Sequence, residues 1–375
     1  MPRHSALATR PLTRSRDDRL EAAKRTLCKR SLYEFVQQSW YVLETDPFDP
    51  TWHVQYLCEL LEQVAQGKRL RLIVNMPPRY GKSLIISVFF PVWLWLREPS
   101  RRMMFASYAA VLSTKHSVDR RTLIESIWFQ RRWGHKVKLA KGSNLKDEFS
   151  NIARGHMIAT SVGAAATGKG GDLLIVDDLL NPAEAESDAQ RAFGIRWYRE
   201  TFSTRLNNKK SGAVIIVEQR THPADLTSQL LEGGGKRWKH VVLPAIGEER
   251  QVINFPSGRQ VIREAGDILW PALEDAEELQ NQKFTMGSHG FQVSISKILK
   301  PEVAINFSTN GCASMPRYPR ISILRLWPST PPSRLARRRT LAPSPLSDIW
   351  VVLTGPTHRD SISNGYGVAA WVLRN

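Results

Sequence analysis

A lysine and a serine close the stretch "MPPRYGKS", residues 76–83, and two aspartates close "LLIVDD", residues 173–178. These residue types suit chemistry on a phosphate chain. Backbone N–H groups at a helix N-terminus face the anion, a lysine reaches its outer phosphates and a hydroxyl holds Mg²⁺. Gly81-Lys82-Ser83 completes a GxxxxGK[ST] pattern in which Met76 stands at the first glycine position. Pro77 and Pro78 have no N–H, so the donors fall to Arg79, Tyr80, Gly81, Lys82 and Ser83, and Arg79 adds a charged fork. Of the two acids, Asp177 is suited to share the metal with Ser83, and Asp178 to polarise an attacking water. Aspartate is also common as a helix cap. Two adjacent acids at the end of a fully apolar run favour the chemical role.

A second stretch, "GAAATGKG" at 163–170, fits the glycine pattern better but has Gly170 where the hydroxyl belongs. A strand follows it instead of a helix, so the first-turn amides a phosphate needs are missing. It reads as a flexible loop whose Lys169 is placed to touch a nucleic-acid backbone.

These groups need elements to position them. Amphipathic helices are expected at 31–43 and 53–66, followed by a buried strand "LRLIVNM". Further strands are expected at 102–108, 156–162, 173–178 and 212–220. Helices are expected through 126, across 187–206 and from Ala224. Short continuous apolar strands alternating with helices predict a doubly wound, mostly parallel α/β sheet, with ligands at the carboxyl ends of the strands. The fold class is thus α/β, a P-loop nucleotide-binding sheet with a helical N-terminal part.

Composition sets the partners. The 375 residues carry a net charge of +18, which favours a polyanion. Three cysteines, Cys28, Cys58 and Cys312, form no disulfide framework or metal motif and suit a reducing compartment. "LIISVFFPVWLWL", 84–96, is too short for a bilayer span and carries Pro91, so a buried helix is expected and no membrane association.

The order "TWHVQYLCELLEQVAQGK", "LIVNMPPRYGKS", "FASYAAVLSTKHSVDRR", "TGKGGDLLIVDD" and "IIVEQRTHPADL" resembles the large terminase subunit of tailed bacteriophages and prophages. The likeness continues through "WKHVVLPAI" and "ILWPALE", covering residues 31 to 292. It implies an ATP-driven motor that packages viral DNA into procapsids, joined to a C-terminal RNase H-like nuclease, working in the bacterial host cytoplasm. Implied cofactors are ATP and Mg²⁺. Implied partners are double-stranded DNA, a small terminase subunit, a portal protein and neighbouring copies in a ring. Carried over by residue, Lys82 and Ser83 serve ATP and Mg²⁺, Asp177 holds the metal and Asp178 is the catalytic carboxylate, where many members have glutamate. Gln219 falls in the motif that couples hydrolysis to movement, and Arg79 is placed to stabilise the transferred phosphoryl group. Arg101, Arg120 and Arg121 are candidates for a finger inserted into a neighbouring subunit. Two rival readings are an inert prophage fragment that only binds DNA, and a helicase-like translocase.

The division expected is a flexible basic arm at 1–30, the ATPase domain at 31–247, a linker at 248–292 and a tail at 293–375. The tail holds eleven Arg plus Lys against Glu302, Asp348 and Asp360, so it lacks the acidic cluster a two-metal nuclease requires. Reading its codons in the neighbouring frame explains this. Val293 to Glu302 then permit QYQQNPEAG, the family's segment after "GFQ", and "WPSTPP" permits ALDTA, resembling the strand with the nuclease's first metal-binding aspartate. The tail therefore reads as an out-of-frame remnant with no reason to fold natively, and endonuclease activity is expected to be absent.

Overall fold

The computed structural model describes residues 16–164, 168–234 and 238–294, with two short strands at 352–353 and 369–370. The chain divides into two units, Met1–Val303 and Ala304–Asn375. In the second, Val352–Leu353 pairs antiparallel with Ala369–Ala370. The rest of the tail, and residues 1–15 of the basic arm, lie outside the described residues.

The first unit is built on an eight-stranded sheet. Six strands are parallel: β1 (Arg71–Asn75), β2 (Met103–Ser107), β5 (His156–Ser161), β6 (Leu173–Asp177), β7 (Ala213–Glu218) and β8 (Lys239–Val242). Two shorter strands, β3 (Leu139–Asn144) and β4 (Glu148–Asn151), add an antiparallel edge, giving the order β3-β4-β5-β2-β6-β7-β1-β8. The central strands are apolar throughout because both faces are covered. Alternate residues serve opposite cores. Leu72, Val74, Phe105, Ile175 and Ile215 face one, and Ile73, Met104, Val176 and Ile216 the other.

The first core is covered by α1 (Arg16–Arg30), α2 (Leu32–Ser39), α3 (Trp52–Ala65), α4 (Phe90–Arg97), α5 (Ala110–Glu125) and α6 (Ile127–Trp133). The second is covered by α7 (Asp188–Trp197), the π turn Tyr198–Phe202 and α8 (Leu226–Gly234). The fold is the expected α/β one. Among the described residues no helix is long and apolar enough to cross a membrane.

Three local readings differ. Arg16–Arg30, read as part of a mobile arm, is a helix, because Cys28 is buried and its carbonyl accepts from Trp93 Nε1 at 2.8 Å. The helix expected across 187–206 changes to a π turn at Tyr198. The segment read as a linker carries the hairpin β9 (Gln251–Asn254) and β10 (Gln260–Arg263) and the helix α9 (Ala276–Ser294). Phe255, Leu269, Leu279 and Phe291 bury it into the first core.

Candidate nucleotide site

The order of strands decides which groups can meet. β7 lies between β1 and β6, so the loop after β1 and the acids after β6 flank the end of β7 at the carboxyl edge of the sheet. The β1 loop turns on two left-handed residues, Arg79 at φ 67° and Gly81 at φ 77°. Glycine adopts this conformation freely, whereas for arginine it costs about 1–2 kcal/mol. Asp178 is also left-handed, at φ 50°, a conformation aspartate tolerates better than most residues. The turn sets Asp178 out of the strand, with its N–H on Val217 O and its carbonyl accepting from Tyr108 N.

Lys82, Ser83, Asp177 and Asp178 meet at this edge. Lys82 Nζ lies 3.0 Å from Asp178 Oδ1, and Ser83 Oγ donates to Asp177 Oδ1 at 2.9 Å. Gln219 joins through its backbone amide, which donates to Asp178 Oδ1 at 3.1 Å. Arg79 is exposed on the cleft wall. Tyr80 contributes only backbone there, since its ring is buried and its hydroxyl donates to Glu274 Oε2 at 2.8 Å. Burial and that acceptor push the Tyr80 phenol well above its usual range.

Two residues without a recognisable motif complete the acid's surroundings. Ser87 Oγ donates to Asp177 Oδ2 at 2.6 Å, and His116 Nδ1 stands 3.5 Å from the same oxygen. Burial raises the Asp177 pKa, and burial lowers that of His116. A buried carboxyl group with the Ser83 and Ser87 hydroxyls around it presents a set of hard oxygens. Ser83 and Asp177 therefore fit Mg²⁺, which takes one or two protein oxygens and completes its shell with phosphate and water. Among the described residues no cluster of three or more His, Cys, Asp or Glu forms a metal cage.

The helix that leaves the loop opens with a π turn, Leu84–Phe89, and continues as α4. Pro91 explains the irregularity. It has no N–H to give Ser87 O four residues earlier. That carbonyl accepts instead from Arg120 Nη1 at 2.6 Å, and the guanidinium stands 3.6 Å above the Phe105 ring. Arg120, one of three arginines considered as a finger for a neighbouring subunit, is fully enclosed and cannot reach one. Desolvation lowers its pKa to about 9. Arg101 is paired with Glu98 at 2.9 Å and Arg121 with Glu125 at 3.4 Å.

A cleft of about 1210 Å³ opens over Lys82, Ser83 and Asp178. Its far wall is the 46–50 turn and Trp270, Ala272 and Leu273, held together by Trp270 Nε1 donating to Asp49 Oδ2 at 2.6 Å. The segment read as a linker thus walls the site. The decoy lysine is spent elsewhere, since Lys169 pairs with Glu148.

The buried end of β7 carries a second polar group. Glu218 Oε1 accepts from Thr227 N at 3.1 Å and from its hydroxyl, and Asn75 Nδ2 donates to Glu218 O at 3.1 Å. Asn75 Oδ1 in turn accepts from His240 Nε2 at 2.6 Å. Burial, with Asp225 nearby, pushes Glu218 up to about 8.

Residues 73–246 match the family model described as "Terminase large subunit, T4likevirus-type, N-terminal". No match is found among curated protein sequences. Among solved structures, the large terminase ATPase domain of Thermus phage P74-26 is 10% identical, with 69% of this chain and 97% of that one covered at a TM-score of 0.42. The large terminase of bacteriophage HK97 is 11% identical, with 58% and 44% covered at 0.39. That of a thermophilic bacteriophage in complex with ADP is 9% identical, with 63% and 52% covered at 0.40. This chain spans about half the length of those two whole subunits. Over residues 73–246 this chain is thus similar to the N-terminal part of the large terminase subunit, in the order of motifs and by the family model alike.

Proposed function

We propose that this chain is an Mg²⁺-dependent ATPase that drives duplex DNA into a phage procapsid, working in the host cytoplasm as a ring with a small terminase subunit and a portal protein. The observation that supports it most directly is the meeting of Lys82 with Asp178 and of Ser83 with Asp177 at the carboxyl edge of the sheet. In this reading Lys82 leaves Asp178 to hold the outer phosphates, and Arg79 adds a second cation at the cleft wall. Ser83 and Asp177 would hold the metal, and its charge would offset that of the phosphates. Asp178, freed from Lys82, orients the attacking water, and the Gln219 amide keeps that carboxylate in place.

Lys82→Ala tests this. Phosphate release should fall at least about a hundredfold, the usual scale for removing a group that stabilises the transferring charge. Fluorescent ATP analogues should bind more weakly in parallel. Turnover retained in the variant would refute the assignment. Salt-sensitive DNA binding with no hydrolysis in the wild-type chain would favour the inert-fragment reading, and strand displacement the helicase-like one.

The nuclease half is, in the same reading, lost to the shifted frame after residue 292. Nicking of supercoiled plasmid with Mn²⁺ would overturn that.

A further inference from the structure

The carboxyl ends of α1, α4 and α6 converge on a second cleft, of about 670 Å³, that the nucleotide chemistry does not use. The polypeptide leaves the carboxyl edge of the sheet at Ser83 and runs back along the π turn and α4 to Arg97, just before β2 begins. Arg97 therefore lies at the opposite edge of the parallel strands from the nucleotide site.

Six cations line this cleft: Arg25, Lys29, Arg30, Arg97, Arg132 and Lys136. No carboxylate does. On α1 the lining positions are Ala22, Arg25, Thr26, Lys29 and Arg30, the spacing of a single helix face. The cations are gathered despite mutual repulsion. Lys136, which donates to Leu96 O at 2.6 Å, has its pKa lowered by burial and then by the charge of Lys29. Arg132 and Arg97 are braced over the Trp128 and Trp93 rings at 5.0 and 5.2 Å. Arg132 also pairs with Glu21 at 2.7 Å, outside the lining.

Helix dipoles alone do not account for such a gathering. Glu21 pairs with Arg132, and each helix end carries about half a negative charge, so three ends offset roughly 1.5 units of the other five. The remaining positive charge suits an external polyanion.

We propose that this cleft binds the phosphodiester backbone of duplex DNA. The cation count and its placement carry the anion; the choice of duplex DNA rests on the packaging-motor reading. Phosphate contacts of this kind are independent of sequence and dominate the salt dependence of binding.

The test is anisotropy of a labelled duplex of about 25 base pairs, titrated at several salt concentrations. Lys29→Glu with Arg30→Glu should weaken binding at least about tenfold. It should also reduce the salt slope by about 2, near 0.9 for each lost phosphate contact. Lys209→Glu with Lys210→Glu makes the same charge change on an exposed turn and should leave the slope close to the wild-type value. Arg25→Gln with Arg97→Gln, a milder pair, repeats the test should the charge reversal disturb folding, which a thermal melt reports. Equal slopes for cleft and control variants would overturn the proposal. So would duplex affinity retained while binding to polyglutamate is lost, since that outcome assigns the cleft to an acidic protein surface.

Phosphate release without DNA is measured alongside and should not change. Hydrolysis intact with indifferent duplex binding sinks the cleft alone. Absence of hydrolysis in the wild type, with duplex binding still lost in the cleft variant, sinks the motor reading alone.

Discussion

At the scale of single residues, the best-placed charges of the candidate site are paired with each other. Lys82 and Asp178 are each other's counter-ion, and in the function proposed above the lysine parts from that carboxylate to hold phosphate. Asp178→Asn weakens that competition. It should tighten ATP-analogue binding several-fold while lowering turnover at least about a hundredfold, a split that titration and phosphate release resolve together. Arg120 acts on structure instead. Arg120→Ala leaves Ser87 O without a donor and removes the stack on Phe105, and should cost about 2–4 kcal/mol in denaturant unfolding. Glu218 gives a pH dependence whose sign is fixed. Its pKa stands at about 8 in the folded chain against 4.5 for the model acid, so the native state holds a proton that the unfolded chain releases. Its stabilisation is complete below about 4.5 and is lost as pH rises through about 8. The melting temperature of Glu218→Gln should therefore fall less between pH 5 and pH 9 than that of the wild-type chain. A parallel decline in both would show that Glu218 is ionised in the fold.

At the scale of elements, the parallel strands were legible because burial on both faces leaves an unbroken apolar run, as in "LLIVDD" and "GAVIIVEQR". Their ends named Lys82, Ser83, Asp177 and Asp178 without help from the structure. The antiparallel edge was not legible. "LAKGSN" and "EFSN" are short and largely polar, and carry neither the continuous apolar run nor the strict apolar–polar alternation that marks a strand. Ser87 and His116 were missed for a related reason: each lies on a helix face, and only the packing of α5 against the π turn brings them to Asp177. Pro91 was the one visible sign of the π turn, read as an interruption and not as the release of a carbonyl. The turn between β4 and β5 offers a check on the edge itself. A Cβ on Gly155 would stand 2.1 Å from Pro99 O and 3.0 Å from Arg101 O, both backbone atoms. Gly155→Ala should thus destabilise the chain by about 2–4 kcal/mol, measured by thermal or denaturant unfolding.

At the scale of the whole molecule, charge and reading frame dominate. The tail supplies eleven of the 53 basic residues from sequence that we propose is out of frame. Resequencing codons 285–300 from independent DNA tests this: one additional base restores an intact motor and nuclease, and an unchanged sequence leaves an ATPase without its cutting domain. The helical run from Leu84 to Arg97 carries a different consequence. At 1.5 Å per residue it is roughly 20 Å long, with Lys82 and Ser83 just before one end and a cation of the basic cleft at the other. A rod shared by two ligands obliges them to trade free energy evenly. If duplex DNA changes the affinity for ADP by some factor, ADP must change the affinity for duplex DNA by that same factor. Under the proposed function, the coupling between the two ligands therefore has a single value that can be read equally well from either end of the helix.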